Sequence, residues 1–248
     1  MFAIAGSPPD IRFEHLPGYP DLPCTRGSDR YDYAYYGFGT LAVDGRIYQF
    51  LSSRNTAEEY RFTGAKLVYS DDGGTTWRNQ DGSSPVVWEK WDERSRQSMV
   101  FFREPGEAFS MPTILQMGQD YGNNRDGYVY VYSPNGNAVD TMSQLVLCRV
   151  PRGELLDRAS YRFFAGREPD GSAIWSPDVG ARQPVCEFPP GWVLPIGEDM
   201  STQPHSWHPS VVYDAPLGVY VMAAFGMGLG QGAETRADAE HGRGDSGT

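Results

Sequence analysis

Acidic side chains that could perform acid–base chemistry stand just before strand-like runs. Asp32 lies in SDRYDYAYYGFG, and Glu104 and Glu107 lie in REPGEAFSMPT. Asp120 follows a strand-like run, where it is better placed to shape its loop. Cleavage of a glycosidic bond needs two carboxyl groups, one protonated and one ionised. Asp32 and Glu107 are therefore the predicted catalytic pair. The alternative for each is a solvated or hydrogen-bonded loop acid.

Polar side chains in the same or neighbouring loops could hold a ligand. Arg30 and Arg103 adjoin the predicted acids, and Asp178 lies in WSPDVG beside an aromatic residue. Guanidinium groups bind anionic or hydroxyl-rich ligands through several fixed N–H donors. We therefore predict that Arg30, Arg103 and Asp178 bind substrate. Arg182 is a further basic candidate. For the arginines, the alternative is surface ion pairs with the many acids.

Two tryptophans and two histidines complete the predicted site. Trp175 and Trp207 could stack on a sugar ring, while core packing is the alternative for any one tryptophan. His205 and His208 form an H-x-x-H pair ahead of a third strand-like run. Such a pair can bind a metal, but the sequence offers no evident third ligand. We predict that all four residues bind substrate and that the site holds no metal. Structural packing is the alternative for the histidines.

The composition indicates an all-β protein. The chain has 248 residues, 40% of them hydrophobic, with 29 glycines and 19 prolines. Many aromatic residues combined with many turn formers favour short strands and tight turns. The net charge of -11 argues against nucleic acid as a partner, because phosphate backbones attract clustered Lys and Arg. No apolar stretch approaches the ~20 residues of a membrane-spanning helix.

Similar hairpins recur along the chain. Residues 35–53 contain two strand-like runs joined by Asp44-Gly45, which is a strong signal for a tight hairpin. Residues 110–134 and 207–226 repeat the pattern around Gly127 and Gly218. Residues 65–80 predict a strand, a tight turn and another strand, and 86–91 and 98–104 read as further short strands. Such long repeats are typical of propeller blades with loop insertions.

The domain boundaries follow from this pattern. Residues 1–30 are rich in proline and predict an extended arm, and residues 31–228 predict a partial propeller. Residues 229–248 are almost devoid of apolar side chains and predict a disordered tail. The third hairpin therefore lacks outer strands. We expect an incomplete propeller of about three blades that is cut short at both ends.

The sharpest motif is SDDGGTTW at 70–77. It matches the pattern S-x-D-x-G-x-T-W, known as the Asp box, through its serine, aspartate, second glycine, second threonine and tryptophan. The aspartate can accept backbone N–H groups and close the turn, and glycine tolerates the positive φ that such a turn needs. The tryptophan then buries a large ring beneath the hairpin. The motif therefore indicates architecture and takes no part in the predicted chemistry.

These segments together resemble a known family. The Asp box and the D-G-x-(I/V)-Y hairpins resemble sialidase-type propellers. YYGFGTLAVDGRIYQFLS, DGYVYVYSPNG and HPSVVYDAPLGVYVM resemble more closely a family of microbial propellers, long a domain of unknown function, that includes endo-D-arabinanases. The resemblance implies a five-bladed propeller whose glycan-binding cleft lies at the mouth of its channel. It also implies an earlier blade that this sequence lacks.

The functional prediction follows from the resemblance and the carboxylates. We expect a carbohydrate-active propeller that acts on a polysaccharide or oligosaccharide, an arabinanase-like glycoside hydrolase or an inactive fragment of one, without a cofactor. The alternative is a non-catalytic propeller that binds glycan or protein.

The cysteines and the start of the chain leave the compartment open. Cys24, Cys148 and Cys186 are far apart and have no metal-ligand spacing, so buried free thiols are expected. A Cys148–Cys186 disulfide is possible in a secreted chain. Residues 1–10 lack the basic and apolar regions of a signal peptide, whereas the resemblance implies secreted full-length relatives.

Overall fold

The structure is a computed structural model that describes residues 2–7, 9–16, 18, 35–54, 62–90, 93–99, 101–136, 143–188, 194–196, 200–203 and 209–223. Its regular elements are strands and short 3-10 turns. Strands β1 to β16 run, in order, over Phe2–Ala5, Arg12–His15, Tyr35–Val43, Arg46–Arg54, Phe62–Ser70, Arg78–Asn79, Thr113–Ile114, Tyr128–Pro134, Gln144–Pro151, Arg162–Arg167, Ala173–Ser176, Cys186–Glu187, Leu194–Ile196, Met200–Gln203, Ser210–Asp214 and Val219–Ala223. The 3-10 turns include Pro105–Glu107, Gln119–Tyr121, Arg152–Glu154, Arg158–Ser160 and Val179–Ala181.

The first large sheet has the order β3-β4-β5-β6, with neighbours antiparallel. Its first turn is made by Asp44 at φ 53° and Gly45 at φ 75°. Both residues have left-handed backbone. The two-residue turn whose twist matches that of the flanking strands requires this conformation. The hairpin predicted at Asp44-Gly45 is confirmed. The strand, turn and strand predicted within 65–80 are confirmed as β5 and β6.

The second large sheet has the order β11-β10-β9-β8-β7. The hairpin predicted over 110–134 is present as β7 and β8, with Gly127 at φ 78° in the connection. The short β12 pairs with β9 at Leu145, beyond the part of β9 that pairs with β10. In β8, valines 129 and 131 are buried in the core, while the tyrosines that alternate with them lie on the other face.

A third hairpin and two small sheets complete the described part. Strands β15 and β16 pair in register from Ser210 with Ala223 to Asp214 with Val219, as predicted for the third hairpin. Strands β13 and β14 form a separate pair. Within the predicted N-terminal arm, β1 and β2 pair as an antiparallel hairpin. The tail predicted at 229–248 lies outside the described residues.

The first strands of the three units lie side by side. Gly39 N of β3 donates to Pro112 O just before β7 at 3.0 Å. A Cβ at Gly39 would lie 2.9 Å from that same carbonyl oxygen, so glycine permits this close approach. Gln116 forms a parallel bridge with Val212 of β15. Sheets that begin in adjacent innermost strands are the arrangement of propeller blades. The predicted all-β, partial β-propeller fold is confirmed.

The main core lies between the two large sheets. Phe101 and Phe102 are essentially inaccessible to solvent, and their ring centroids lie 5.2 Å and 5.5 Å from that of Tyr161. Phe102 makes only an isolated bridge, with Ala65. Among the described residues of 98–104, predicted as a short strand or strand-like segment, no strand forms. No strand forms in the described residues of 86–91 either. Both segments are apolar because they cover sheet faces, so their hydrophobicity does not reflect strand pairing.

The other face of the first sheet is covered by residues 86–90. Val86 and Trp88 pack against a cluster that includes Leu51 and Trp77. Beside this cluster lies a buried polar group: Lys66 Nζ contacts Glu89 Oε1 at 2.8 Å, and Tyr35 Oη donates to Glu89 Oε2 at 2.7 Å. The Lys66 side chain has 0% exposure. Burial lowers the pKa of Lys66, because it disfavours the charged ammonium.

The turn between β5 and β6 is closed by the side chain of Asp72. Its Oδ1 accepts from Thr76 N at 2.8 Å, and its Oδ2 accepts from Thr76 Oγ1 at 2.7 Å. Gly73 and Gly74 take φ values of 69° and 91°. Trp77 is 4% exposed, and its indole N–H donates to Gly74 O at 3.1 Å. Asp72, Thr76 and Trp77 are therefore all held by hydrogen bonds within the turn.

The hydrogen bonds of this turn should make the folded protein less stable in acid. The hydrogen bonds from Thr76 lower the pKa of Asp72 to about 2, whereas an unfolded aspartate titrates near ~3.9. Its stabilisation is therefore present above about pH 4 and is lost as the pH falls towards about 2. We expect Asp72→Asn to lower Tm at pH 6 and to differ less from the wild type at pH 2. Thermal melts across this range test it, with the exposed Asp10→Asn as control. An equal Tm difference at both pH values would contradict the assignment.

The cysteines that the structure describes are free thiols: Cys148 is buried in the core, and Cys186 is partly exposed on β12. Burial raises the pKa of the Cys148 thiol. Cys24 lies outside the described residues. Within the described ranges, the structure contains no helix with the length and apolar character that crossing a membrane would take.

Candidate functional site

The loop Glu104–Met111 leads into β7, the first strand of the second sheet, and carries the predicted catalytic residue Glu107. Three of its residues have left-handed backbone: Gly106 at φ 68°, Glu107 at φ 57° and Phe109 at φ 58°. For residues other than glycine this conformation costs about 1–3 kcal/mol each, and it persists only where the surroundings impose it. Such strained backbone clusters at ligand-binding and active sites.

Two buried side chains impose this conformation. Glu104 has 0% side-chain exposure and forms ion pairs with Arg96 and Arg158, the latter at 2.6 Å. Phe109 is inaccessible to solvent, and its ring stacks on Phe102 with 5.3 Å between centroids. Glu104 was a sequence candidate for acid chemistry. Its carboxylate is instead neutralised by two guanidinium groups, so it anchors the loop.

Two arginines flank the loop. Arg103 Nη1 donates to Thr63 O at 3.0 Å, which ties the loop to β5. Arg182 Nη2 lies 3.5 Å from the position that a Cβ would occupy at Gly106. Arg182 Nε donates to Asn135 Oδ1 at 2.8 Å, and its half-burial lowers its pKa, against the opposing effect of Glu104. The loop that holds Glu107 is therefore bordered by cationic side chains from two directions.

An aromatic group lies near the start of β3. Tyr36 and Phe38 are partly exposed, and their rings stack with 6.4 Å between centroids. Phe62 and Met111 are buried beneath them, so the group joins β3 to the end of the Glu104–Met111 loop. The loop that carries Glu107 therefore ends against a partly exposed aromatic surface.

The other predicted site residues that the structure describes lie farther along the second sheet. Asp178 Oδ1 accepts from Gly180 N at 2.8 Å and caps the 3-10 turn that precedes Arg182. Trp175 lies on the outermost strand β11, where Arg149 stacks on its ring at 4.2 Å. Neither contact involves Glu107. Five predicted site residues lie outside the described residues: Arg30, Asp32, His205, Trp207 and His208.

Asp120 has the loop role that was expected for it. It lies in the connection that follows β7 and takes φ 50°. Its Oδ1 accepts from Asp44 N at 2.7 Å, and Arg152 bonds to Asp44 Oδ1 at 2.6 Å. Both sheets are thereby tied together at the end remote from Glu107.

Arg182 was a basic candidate in the sequence, but its position beside the Glu104–Met111 loop was not predicted. Arg182 lies 75 positions after Glu107, and its contact with the loop depends on how the 3-10 turn at 179–181 folds back. Within the described ranges, His, Cys, Asp and Glu do not form groups of three or more that could hold a metal ion. The absence of a metal and of a cofactor stays a prediction.

Comparison with known proteins gives a family match and a distant structural likeness. The crystal structure of a "putative hydrolase" from Bacteroides ovatus ATCC 8483 is 14% identical, with a TM-score of 0.43. The alignment covers 79% of this chain and 39% of that one, so this chain spans about two fifths of its length. The curated proteins contain no match. The model of the family described as domain of unknown function (DUF4185) matches residues 38–226, most of the sequence. The chain therefore belongs to this family of domains of unknown function.

Proposed function

We propose that this chain is a carbohydrate-active propeller of the glycoside-hydrolase type, with an arabinan-like polysaccharide as its substrate class. The observation that supports the proposal is Glu107, held with left-handed backbone on a loop anchored by Glu104 and bordered by Arg103 and Arg182. A carboxyl group on a loop held in this way can serve as general acid or base, and guanidinium groups that border the loop can bind sugar hydroxyls.

The proposal assigns the second carboxyl role to Asp32. That residue precedes β3 in the sequence, and β3 lies next to β7, which follows Glu107. Adjacent innermost strands bring the segments before them to one end of the propeller. The separation of the two carboxyl groups would decide between retention and inversion of configuration: about 5–5.5 Å for retaining enzymes and about 6.5–9.5 Å for inverting ones.

A reducing-end assay with arabinans, sialosides and other glycans tests the proposal. We expect turnover on at least one glycan, and we expect Glu107→Gln to lower kcat by about 10²–10⁴-fold because it removes a titratable group. Glu154→Gln is the matched control, since Glu154 is exposed in the β9–β10 connection. Turnover that survives Glu107→Gln would contradict the assignment of Glu107.

The alternative is a non-catalytic propeller that binds glycan or protein. It is favoured by the neutralisation of Glu104, which removes one of the two acids in this loop from chemistry. Calorimetric titration with the same glycans separates the two hypotheses. Binding without turnover in the wild-type chain would favour the alternative.

A further inference from the structure

A cavity lies between the second sheet and the hairpin β15–β16. Its volume is about 350 Å³, which falls at the lower end of the ~300–1,000 Å³ typical of ligand pockets. Its amide and charged groups come from residues 123–126, in the loop before β8. Asn135, the partner of Arg182, follows the other end of β8. The cavity is therefore separate from the loop that carries Glu107.

The cavity combines an apolar floor with tyrosine walls. Leu115, Met117 and Leu147 contribute the floor and are each less than a tenth exposed. Tyrosines 130 and 132 project from β8, and tyrosines 213 and 220 come from the facing hairpin, where their ring centroids lie 5.1 Å apart. Tyrosine offers both an apolar ring face and a hydroxyl, so such walls suit a ligand that has apolar and polar surfaces.

A fixed carboxylate lies at one side. Asp126 Oδ1 accepts from Asn124 Nδ2 at 2.9 Å and from Tyr128 N at 3.1 Å, and Oδ2 accepts from the Tyr130 hydroxyl. Burial raises the pKa of Asp126, but these hydrogen bonds lower it more, so the net pKa lies below its usual range. The cavity therefore presents an ionised acceptor at neutral pH in a fixed orientation.

These groups select the chemistry of a ligand. The fixed Asp126 carboxylate can accept hydrogen bonds from hydroxyl groups, and the tyrosine ring faces can pack on the apolar face of a ring. The lining holds one guanidinium, Arg125, and one carboxylate, Asp126, so it has no net charge and favours a neutral ligand. We propose that this cavity binds a neutral hydroxylated ring, one or two sugar residues of a glycan, as a second carbohydrate site apart from Glu107. The site would hold the chain on a polysaccharide whether or not the Glu107 loop is catalytic.

Saturation-transfer NMR and titration with xylobiose, cellobiose and arabinobiose test the proposal, with p-cresol as an aromatic probe without sugar hydroxyls. We expect at least one disaccharide to bind. Tyr132→Phe removes a single hydroxyl and should weaken binding about two- to tenfold. Tyr220→Ala removes the ring of a residue that is 61% exposed and should weaken binding on the order of tenfold. The far-UV circular dichroism of both variants should match that of the wild type.

Two controls separate this site from its alternatives. Tyr128→Phe changes a tyrosine of the same strand that packs on Arg149 outside the cavity, and it should leave disaccharide affinity unchanged. Glu154→Gln, at an exposed glutamate outside the cavity, should also leave it unchanged. Disaccharide binding that is insensitive to Tyr132→Phe and Tyr220→Ala would overturn the proposal. Binding of p-cresol alone, or of no probe, would overturn it too.

Discussion

Replacing Glu104 with alanine should lower the free energy of unfolding by about 3–5 kcal/mol, the usual cost of removing one partner from a buried ion pair. Glu104 is inaccessible to solvent and pairs with Arg158, whose guanidinium lies 4.9 Å from the ring centre of Phe102. Arg158 Nε is buried and has no acceptor among the described residues. Glu104→Ala would leave the Arg158 guanidinium packed against aromatic rings without the Glu104 carboxylate. The half-exposed pair with Arg96 contributes little, since solvent screens it.

Urea denaturation of matched variants tests this expectation. Glu104→Gln/Arg158→Met removes both charges and should recover much of the loss, because an apolar side chain can replace a buried charge at little cost. Glu154→Gln, which changes an exposed glutamate in the β9–β10 connection, should alter the urea midpoint little. A loss below about 1 kcal/mol in Glu104→Ala would mean that Glu104 does not anchor the loop.

Replacing Glu89 with alanine should cost a similar ~3–5 kcal/mol, for the same reason. Lys66 is fully buried, its ammonium contacts Glu89 at 2.8 Å, and Tyr35 also donates to that carboxylate. Without Glu89 the buried ammonium of Lys66 loses the carboxylate that pairs with it. In Lys66→Met/Glu89→Gln the ammonium is removed together with its carboxylate and an acceptor for Tyr35 is kept. The buried Arg94 beside Glu89 loses the same carboxylate in both variants, so it does not affect the comparison. This double variant should be more stable than Glu89→Ala.

The pH dependence of Glu89→Ala gives an independent measurement. Burial already lowers the pKa of Lys66, and loss of the carboxylate should lower it further. Between that lowered folded value and the unfolded value of about 10.4, the unfolded chain binds more protons than the native one. Stability should therefore rise with pH across this interval, relative to the double variant. Parallel curves for the two variants would contradict a lowered pKa of Lys66 in the folded Glu89→Ala variant.

Local chemistry explains which parts of the fold could be predicted. The hairpin at Asp44-Gly45 was predictable because both turn residues must take positive φ, which few residue pairs tolerate. The turn around Asp72 was predictable because its hydrogen bonds join residues within four positions of each other. The segments 86–91 and 98–104 were predicted as strands for their apolar residues. Hydrophobicity alone does not distinguish a paired strand from a chain segment that covers a sheet.

The candidate site likewise has parts that could be predicted from the sequence and parts that could not. The all-β class, the hairpin repeats and the residues that could perform acid–base chemistry were predictable, because they depend on composition and local spacing. Tertiary packing brings Glu104 to Arg158, 54 positions away, while Glu107 three residues later carries the left-handed backbone. It also decided that Arg182 adjoins Gly106 and that tyrosines from two units face one cavity. Such contacts depend on how separate sheets pack, which residue spacing along the chain does not encode locally.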